Sequence, residues 1–317
     1  MTLAASNRVV AYFRLASKTV AAGAYHTCAL RPTGIAVCWG RNTDGQLGTG
    51  NNSLSIGRVG TTRAVAIAAG GYHTCALIVG GTVQCWGNNS FGQVGTASFG
   101  AAIGAPTTVP GIAGAVAVTT GAYHTCVVLA GGTASCWGLN RDGQLGAKTP
   151  ADHSSVPVAV PPGTNGPFTR MIAAGGFHTC AVVLADASVV CWGSNSDGQL
   201  GLENMAPGSK VQIDPASCTA GVQVGCAGSL TTSLIPIAGI AGSMGVGQML
   251  GGSPLGGYHT VAIDLFGNDF GWGNNNDGQL GRPSSSPLQG AVAAPPSVSL
   301  VATWFEKSLR VRITPAC

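Results

Sequence analysis

The stretch GAYHTCALRPTGIAVCWGRNTDGQLG, residues 23–48, decides the fold because the chain carries five variants of it. The other copies begin at Gly70, Gly121, Gly175 and Gly256; four copies have 26 residues and one has 27. The segments between copies have 21, 25, 28 and 54 residues. A constant unit joined by variable connections is typical of repeat architectures, in which each unit covers its apolar faces against its neighbours.

The composition indicates strands and turns. Only 8% of the 317 residues are charged, against about a quarter in an average globular protein, and 50 are glycine. Short apolar runs are bounded by Gly, Asn, Asp and Pro, whereas a disordered chain would be charged and poor in apolar residues. The most apolar segment, which starts at Leu234, contains Pro236 and several glycines. It predicts strand and loop, with a lipid span as the alternative.

Each copy contains the material for a four-stranded sheet. In the first copy, KTVAAG (residues 18–23), His26–Leu30 and Ile35–Trp39 have strand length and composition, and turn residues separate them. GRNTDGQLG then forms a long turn, and a further strand follows in the variable linker. Such a unit has apolar faces that only neighbouring units can cover, so radial repetition predicts a propeller.

The pattern G-x-x-H-T-x-A-L, then W-G, then N-x-x-G-Q-L-G resembles the repeat of the regulator of chromosome condensation family. That resemblance implies an all-β β-propeller with one four-stranded blade per repeat. We expect one domain over residues 1–317, with six blades as the first choice and seven as the alternative. The predicted clear repeats are 20–48, 67–95, 118–146, 172–201 and 253–281, followed by a degenerate closing repeat at 297–317; residues 202–235 form an insertion.

The cysteines are paired within the repeats. Three pairs are ten residues apart and the fourth, in the copy with an extra residue, is eleven apart. Opposed positions on antiparallel strands have the Cβ separation that a disulfide needs. Cys218 and Cys226 in the insertion predict a fifth bond, and Cys317 is left over. The predicted disulfide residues are Cys28, Cys38, Cys75, Cys85, Cys126, Cys136, Cys180, Cys191, Cys218 and Cys226.

The fifth copy favours disulfides over two alternatives, zinc sites and free thiols. It has Val261 and Gly271 where the other copies have Cys, so both partners are missing together, yet its His259 persists. If zinc were bound here, the His and the Cys would be ligands of one metal ion, and the His would not be expected to persist without the Cys. Disulfides imply an oxidising compartment. This departs from the nuclear members of the family and is similar to its exported bacterial members. We therefore expect an extracellular, periplasmic or cell-surface protein, although the N-terminus lacks a signal-peptide pattern.

The His and Trp that recur in every copy indicate a structural role rather than a catalytic one. A catalytic group is usually singular, whereas one His and one Trp recur in every copy. We expect each His ring to tie a turn to a neighbouring backbone and each Trp to pack between blades. These residues are His26, His73, His124, His178 and His259, with Trp39, Trp86, Trp137, Trp192 and Trp272.

Ligand motifs are weak. The N-x-x-D-G-Q-L-G loops lack the Glu of a calcium-binding EF-hand and the Gly-Lys-Ser/Thr of a phosphate loop. His153, the one His outside the repeat, is expected at the surface. The sequence therefore predicts no catalytic residues, no metal and no cofactor.

Charge is concentrated at the two ends. Residues 1–63 hold seven basic residues and one acid, and residues 282–317 hold four basic residues and one acid. A basic sector of this kind attracts anionic partners, the alternative being a contribution to solubility. The candidate binding residues are Arg8, Arg14, Arg41, Arg58, Arg310 and Arg312.

These observations predict a non-enzymatic, exported scaffold that binds an unknown protein or an anionic polymer through its loops, as a monomer without a membrane span. One alternative is an intracellular guanine-nucleotide-exchange or chromatin-binding propeller, which the family resemblance and the basic ends favour. A second alternative is an enzyme directed at the cell wall, with two carboxylates from different blades meeting in space.

Overall fold

The computed structural model describes residues 20–50, 57–59, 63–161, 167–184, 189–200, 210–211, 243–247, 259–264, 269–274 and 288–293. Within these ranges the chain forms strands and turns and no helix. Accordingly, the described residues include no helix long and apolar enough to cross a membrane.

Twenty strands make five four-stranded sheets. In chain order they are β1 (Val20–Ala22), β2 (His26–Leu30), β3 (Ala36–Gly40), β4 (Gly57–Arg58), β5 (Ala64–Ala69), β6 (His73–Ile78), β7 (Val83–Gly87), β8 (Ile103–Thr108), β9 (Ala115–Thr120), β10 (His124–Leu129), β11 (Ala134–Leu139), β12 (His153–Val160), β13 (Phe168–Ala174), β14 (His178–Val183), β15 (Val189–Ser194), β16 (Lys210–Val211), β17 (Ser243–Gly247), β18 (His259–Asp264), β19 (Asp269–Gly273) and β20 (Leu288–Ala293).

Each sheet is an antiparallel meander of four consecutive strands, and we call the sheets blades 1 to 5 in chain order. This confirms the all-β prediction of four-stranded blades. The second strand of the first copy has the predicted bounds, and the third begins one residue later than predicted, at Ala36. The predicted closing repeat 297–317 lies outside the described residues, as does most of the insertion 202–235. The blade count of six or seven therefore stays a prediction.

The hydrophobic core lies between neighbouring blades. Trp86 of blade 2 packs in one cluster with Leu47 of blade 1 and Ile67. Trp137 of blade 3 packs with Val94 and Val109 of blade 2, and blade 4 repeats the arrangement with its own Trp. Burial of such side chains contributes about 25 cal/mol per Å² of apolar surface, so the blades hold one another in place.

Glycine is required where the Trp-Gly pair ends the third strand. Gly87 has φ of +110°, a conformation that L side chains rarely adopt. A Cβ there would lie 2.7 Å from the backbone of both His73 and Tyr72. The Trp-Gly motif therefore reflects close packing of two strands and not a flexible loop.

The described residues contain four disulfides, each within one blade: Cys28–Cys38, Cys75–Cys85, Cys126–Cys136 and Cys180–Cys191. Each joins directly opposed residues of the second and third strands, whose Cα atoms are 4.1 Å apart. In blade 5 the same register opposes Val261 and Gly271. Because these eight sulfurs are bonded to one another, they cannot act as thiolate zinc ligands. Cys218, Cys226 and Cys317 lie outside the described residues.

Candidate functional site

The repeated histidines are buried at the first position of the second strand of each blade. In blades 1 to 4 the Nε2 contacts the Thr hydroxyl of the following blade. The four distances are 2.7 Å for His26 to Thr74, 2.8 Å for His73 to Thr125, and 2.9 Å for both His124 to Thr179 and His178 to Thr260. The predicted contact with neighbouring backbone is therefore wrong: the partner is a side chain of the next blade.

The hydroxyl partner fixes the tautomer of the His. Thr74 donates its one hydroxyl proton to the backbone carbonyl of Gln46, at 2.9 Å. The same hydroxyl oxygen must then accept from His26, so Nε2 carries the proton and Nδ1 does not. Within the described part of the chain, Nδ1 of His26 is buried without a hydrogen-bond partner, as are those of His73, His124 and His178.

The Gln carbonyl accepts a second bond from the same neighbouring blade. Trp86 Nε1 donates to the carbonyl of Gln46 at 2.9 Å. We call the set of His and Gln carbonyl from one blade with Thr and Trp from the next an inter-blade latch. Four latches join blades 1 to 5, through the carbonyls of Gln46, Gln93, Gln144 and Gln199.

Burial keeps these histidines neutral. It lowers the pKa of His26 and His259 from 6.5 to about 4, and that of His73, His124 and His178 to about 3. Removal from water disfavours the charged imidazolium, and the neighbouring buried histidines lower the pKa of His73 and His178 further. A neutral, buried ring bonded to the hydroxyl of the next blade is consistent with a structural role, which stays a prediction for these histidines.

The side chains of the N-x-x-D-G-Q-L-G loop accept hydrogen bonds from the loop's own backbone. In the first copy the Oδ1 of Asn42 accepts from the backbone N–H of Leu47, and the Oε1 of Gln46 accepts from that of Asp44, both at 2.9 Å. Asn89 and Gln93 repeat these bonds in blade 2. The polar side chains that suggested a calcium or phosphate loop thus cap the loop's own backbone. Among the described residues, no group of three His, Cys, Asp or Glu is placed to hold a metal ion.

His153 is partly exposed, at the start of β12, and its ring meets Phe99 edge-on at 4.8 Å between centroids. The residues on either side of it, Asp152 and Ser154, contact other groups and not the His153 ring. Asp152 lies 3.9 Å from Arg141, and Ser154 Oγ donates to the carbonyl of Val156 at 2.7 Å. The structure therefore does not assemble these three residues into a catalytic set.

A row of aromatic rings crosses blades 1 to 4. The residue before each latch His is Tyr25, Tyr72, Tyr123 or Phe177, and each is half-buried. Successive ring centroids are 5.5, 5.2 and 6.3 Å apart. Offset rings at these distances attract one another, so the row is a continuous, ordered surface. Sequence reasoning missed it, although an aromatic residue before every latch His was the available signal.

Arg41 lies at the blade 1 end of this row. Its guanidinium carbon is 5.2 Å from the ring centroid of Tyr25 and 5.7 Å from that of Tyr72, within the range of a cation–π contact. The side chain is 44% exposed, with Asp44 3.8 Å away. Of the other candidate basic residues, Arg8, Arg14, Arg310 and Arg312 lie outside the described residues, and only the backbone of Arg58, in β4, is described.

The geometry agrees with a family of known sequence. Two sequence models of the regulator of chromosome condensation (RCC1) repeat match the chain. One matches residues 18–46, 64–93, 115–144 and 172–199, and the other matches 37–77, 80–128 and 132–182. Together they cover residues 18–199, more than half of the chain. The chain belongs to the RCC1-repeat family.

Two curated proteins are similar to this chain over about half of it or more. The chain is 29% identical over 310 residues to the ultraviolet-B receptor UVR8 of Arabidopsis thaliana, covering 85% of this chain and 69% of the receptor. It is 30% identical over 163 residues to the probable E3 ubiquitin-protein ligase HERC6 of Homo sapiens, covering 51% of this chain and 13% of the ligase. The match therefore spans a small part of that RCC1-repeat relative.

Solved RCC1-type structures have the same fold. Human WBSCR16 superposes with a TM-score of 0.68 at 22% identity, over 89% of this chain and 68% of that chain. Yeast RCC1 (Prp20), solved bound to Kap60, gives 0.53 at 19% identity, over 87% and 74%. These likenesses establish a β-propeller and nothing about the partner of this chain.

Proposed function

We propose that the chain is a non-enzymatic binding scaffold that presents the aromatic row and Arg41 to a macromolecular partner with anionic groups. The observation that carries the proposal is the continuity of the row from Tyr25 to Phe177 across four blades. A surface this long suits a protein or an extended polymer better than a small substrate. Tyr and Arg are also the residue types that dominate protein interfaces.

The rigidity of the row supports this role. Each of its rings directly precedes a His that is bonded to the next blade, so the latches hold the rings without a ligand. A surface that is ordered before binding loses less conformational freedom on association. Relatives are consistent with binding: the structure of Prp20 was solved with Kap60 bound, and Prp20p from Saccharomyces cerevisiae was studied for its binding to Gsp1p and histones.

Anionic probes test the binding face. We expect immobilised heparin and poly-L-glutamate to retain the protein with an affinity that falls steeply between 50 and 200 mM salt, and neutral dextran not to retain it. Arg41→Gln should weaken retention by on the order of tenfold. Arg141→Gln is the matched control, because Arg141 is also an exposed Arg beside an Asp, Asp152, but lies in blade 3. Equal loss in both variants, or no retention of either probe, would reject the face.

The four disulfides support an oxidising compartment for this scaffold, outside the cytosol. Their cysteines are at most 3% exposed, so they are parts of the fold and not accessible redox groups. Alkylation under denaturing conditions, followed by intact mass, should find the eight repeat cysteines unreactive unless reductant is present. Reactive thiols at these positions in protein from its natural source would instead favour an intracellular exchange-factor or chromatin-binding role.

A further inference from the structure

Blades 2 and 3 bring two phenol rings close together. The ring centroids of Tyr72 and Tyr123 are 5.2 Å apart and their planes differ by 20°, so this pair is closer and more nearly parallel than its two neighbours in the row. The backbone carbonyl of each Tyr accepts at 2.9 Å from the residue after the Trp-Gly pair of its own blade. Each Tyr also directly precedes a latch His. The fold therefore holds both rings in place.

The hydroxyls of the row are hydrogen-bonded in one direction. The hydroxyl of Tyr72 accepts from that of Tyr25 and donates to that of Tyr123. Since the two oxygens of Tyr72 and Tyr123 are within hydrogen-bond reach while the centroids are 5.2 Å apart, these rings converge toward their hydroxyl ends. The Cε carbons, which lie beside the hydroxyl-bearing carbon of each ring, share this convergence. Burial, together with the bond donated to Tyr123, raises the pKa of Tyr72, so its phenol is protonated at neutral pH.

The rest of the row favours this pair over the others. Phe177, 6.3 Å from Tyr123, has no hydroxyl. On the other side, the rings of Tyr25 and Tyr72 are inclined by 42°, and the guanidinium of Arg41 lies closer to Tyr25 than to Tyr72. A cation beside a ring disfavours the loss of an electron from it. Chemistry that joins two phenols through one-electron oxidation therefore has its best geometry at Tyr72 and Tyr123.

We propose that Tyr72 and Tyr123 are a site of oxidative cross-linking, at which a haem peroxidase with hydrogen peroxide forms a dityrosine bond between blades 2 and 3. Each phenol loses one electron and its hydroxyl proton and becomes a phenoxyl radical. The two radicals join through their Cε carbons, and the hydrogen on each of these carbons moves as a proton to the oxygen, which restores both phenols. The two electrons and two protons that are lost reduce one hydrogen peroxide to two waters.

The bond would make a connection that the four described disulfides do not make. Each of those disulfides joins two strands of one blade, whereas Tyr72 and Tyr123 belong to different blades. A covalent bond that closes a loop of chain restricts the unfolded state, so blades 2 and 3 should separate less readily once they are linked. The cross-link does not require the row to bind an anionic partner.

Treatment of the full chain, with its disulfides intact, with a haem peroxidase and hydrogen peroxide provides the test. We expect blue dityrosine fluorescence. Digestion should yield a linked pair of peptides, one with Tyr72 and one with Tyr123, whose mass is that of the two peptides less two hydrogen atoms. The product should keep the size of one chain. Its yield should not change when the protein is diluted, because both rings belong to the same molecule.

Three variants identify the pair. Tyr72→Phe and Tyr123→Phe keep the ring and remove one phenol, and each should lower the yield by on the order of tenfold or more, because the second phenol is no longer held beside the first. Tyr25→Phe is the matched control, since it removes a hydroxyl of the same row but neither partner, and it should leave the yield of the Tyr72–Tyr123 product unchanged.

Three results would overturn the proposal: no dityrosine from the folded protein, a linked pair that lacks Tyr72 or Tyr123, or equal yields from all three variants. A product found only between two chains would do the same. Retention on heparin is measured without oxidant, so failure of the cross-link can be distinguished from failure of the aromatic row as a binding face.

Discussion

Blades 3 and 5 differ in their covalent chemistry and agree in their contacts. Blade 3 has a disulfide between Cys126 and Cys136, whereas the same register in blade 5 opposes Val261 and Gly271. The latch is nevertheless identical. Thr and Trp donate to the preceding Gln carbonyl at 2.9 and 2.9 Å in blade 3, and at the same distances in blade 5.

This comparison shows that the disulfides and the latches are separate devices. A disulfide joins two strands within one blade, and a latch joins two blades. The two meet in space, since the Sγ of Cys75 lies 3.7 Å from the hydroxyl of Thr125. The same contact is kept in the latch between blades 4 and 5, where the Sγ of Cys180 lies 3.9 Å from the hydroxyl of Thr260, so blade 5 shows only that a blade needs no disulfide of its own to supply the Thr and Trp of a latch. Four changes should separate the contributions of the two devices.

Acid should have the largest effect, because it acts on the latch histidines of every blade, with or without a disulfide. Their pKa is 6.5 unfolded and about 3 to 4 folded, so the unfolded chain takes up protons first as the pH falls. Stability is complete above about pH 6.5 and is lost as the pH falls toward the folded pKa. At pH 5 the loss is about 2 kcal/mol per His, or on the order of 10 kcal/mol for five.

Since whole domains are stable by about 5–15 kcal/mol, we expect unfolding between about pH 5 and pH 4, followed by circular dichroism. The disulfides survive acid, so return to pH 7 should restore the spectrum. An unchanged spectrum and melting temperature down to pH 4 would show that the histidines are hydrated in the folded protein.

Loss of a latch indole should come next. Trp137→Ala removes a fully buried side chain and its bond to the Gln93 carbonyl, at an expected cost of about 3–5 kcal/mol. Trp39→Ala at the same repeat position should lower the free energy of unfolding by less than half as much. Trp39 is partly exposed, and among the described residues it donates to no Gln carbonyl. Urea denaturation at low protein concentration measures both. Equal costs would mean that Trp39 is latched in solution.

Exchanging the covalent chemistry of blades 3 and 5 should have an intermediate effect. Cys126→Val with Cys136→Gly copies blade 5 and should cost about 2–3 kcal/mol, while the indole fluorescence of the latches stays that of buried Trp. Val261→Cys with Gly271→Cys copies blade 3 and should form a bond that raises stability by a similar amount. A fluorescence shift in the first variant would show that disulfide and latch depend on each other.

The smallest effect on stability is expected from the removal of a single hydroxyl. Thr125→Val removes the acceptor of His73 Nε2–H and one donor to Gln93, but Trp137 still bonds that carbonyl. We expect a cost of about 1–3 kcal/mol, since a buried N–H is left unpaired. Thr27→Val is the matched control. It should be nearly neutral in dilute protein, because the Thr27 hydroxyl has no partner among the described residues. The melting temperatures of the two variants make the comparison, and equal losses would contradict the latch.

The features that the sequence predicted correctly lie within single copies of the repeat. Strands, turns and the Cys28–Cys38 pairing follow from periodicity and spacing within one copy, and residues ten apart across a short turn can meet in few ways. The contacts between blades were not predictable in this manner. His and Thr are adjacent in every copy, but the His of each of the first four copies bonds the Thr of the following copy, 48 to 82 residues away. Periodicity shows which positions matter and not which copy each one contacts.

The proposed binding face was only partly predictable for the same reason. Arg41 was selected for its charge, but its place beside Tyr25 and Tyr72 depends on the neighbouring blade. The backbone carbonyl of Gln46 could not be recognised from side-chain chemistry, because any residue has a carbonyl. Repetition of the Gly-Gln-Leu-Gly turn was the only signal for it.

The latch is also indifferent to the length of chain between blades. His178 and Thr260 are separated by 82 residues, against 48 to 55 for the other three pairs, yet their contact of 2.9 Å is similar to the 2.7, 2.8 and 2.9 Å of the others. Recognition between blades is thus independent of how the connection is made. The connection between blades 4 and 5 is therefore a natural place to graft foreign domains or to cut and reconnect the chain, which makes this propeller a candidate carrier for engineered cargo.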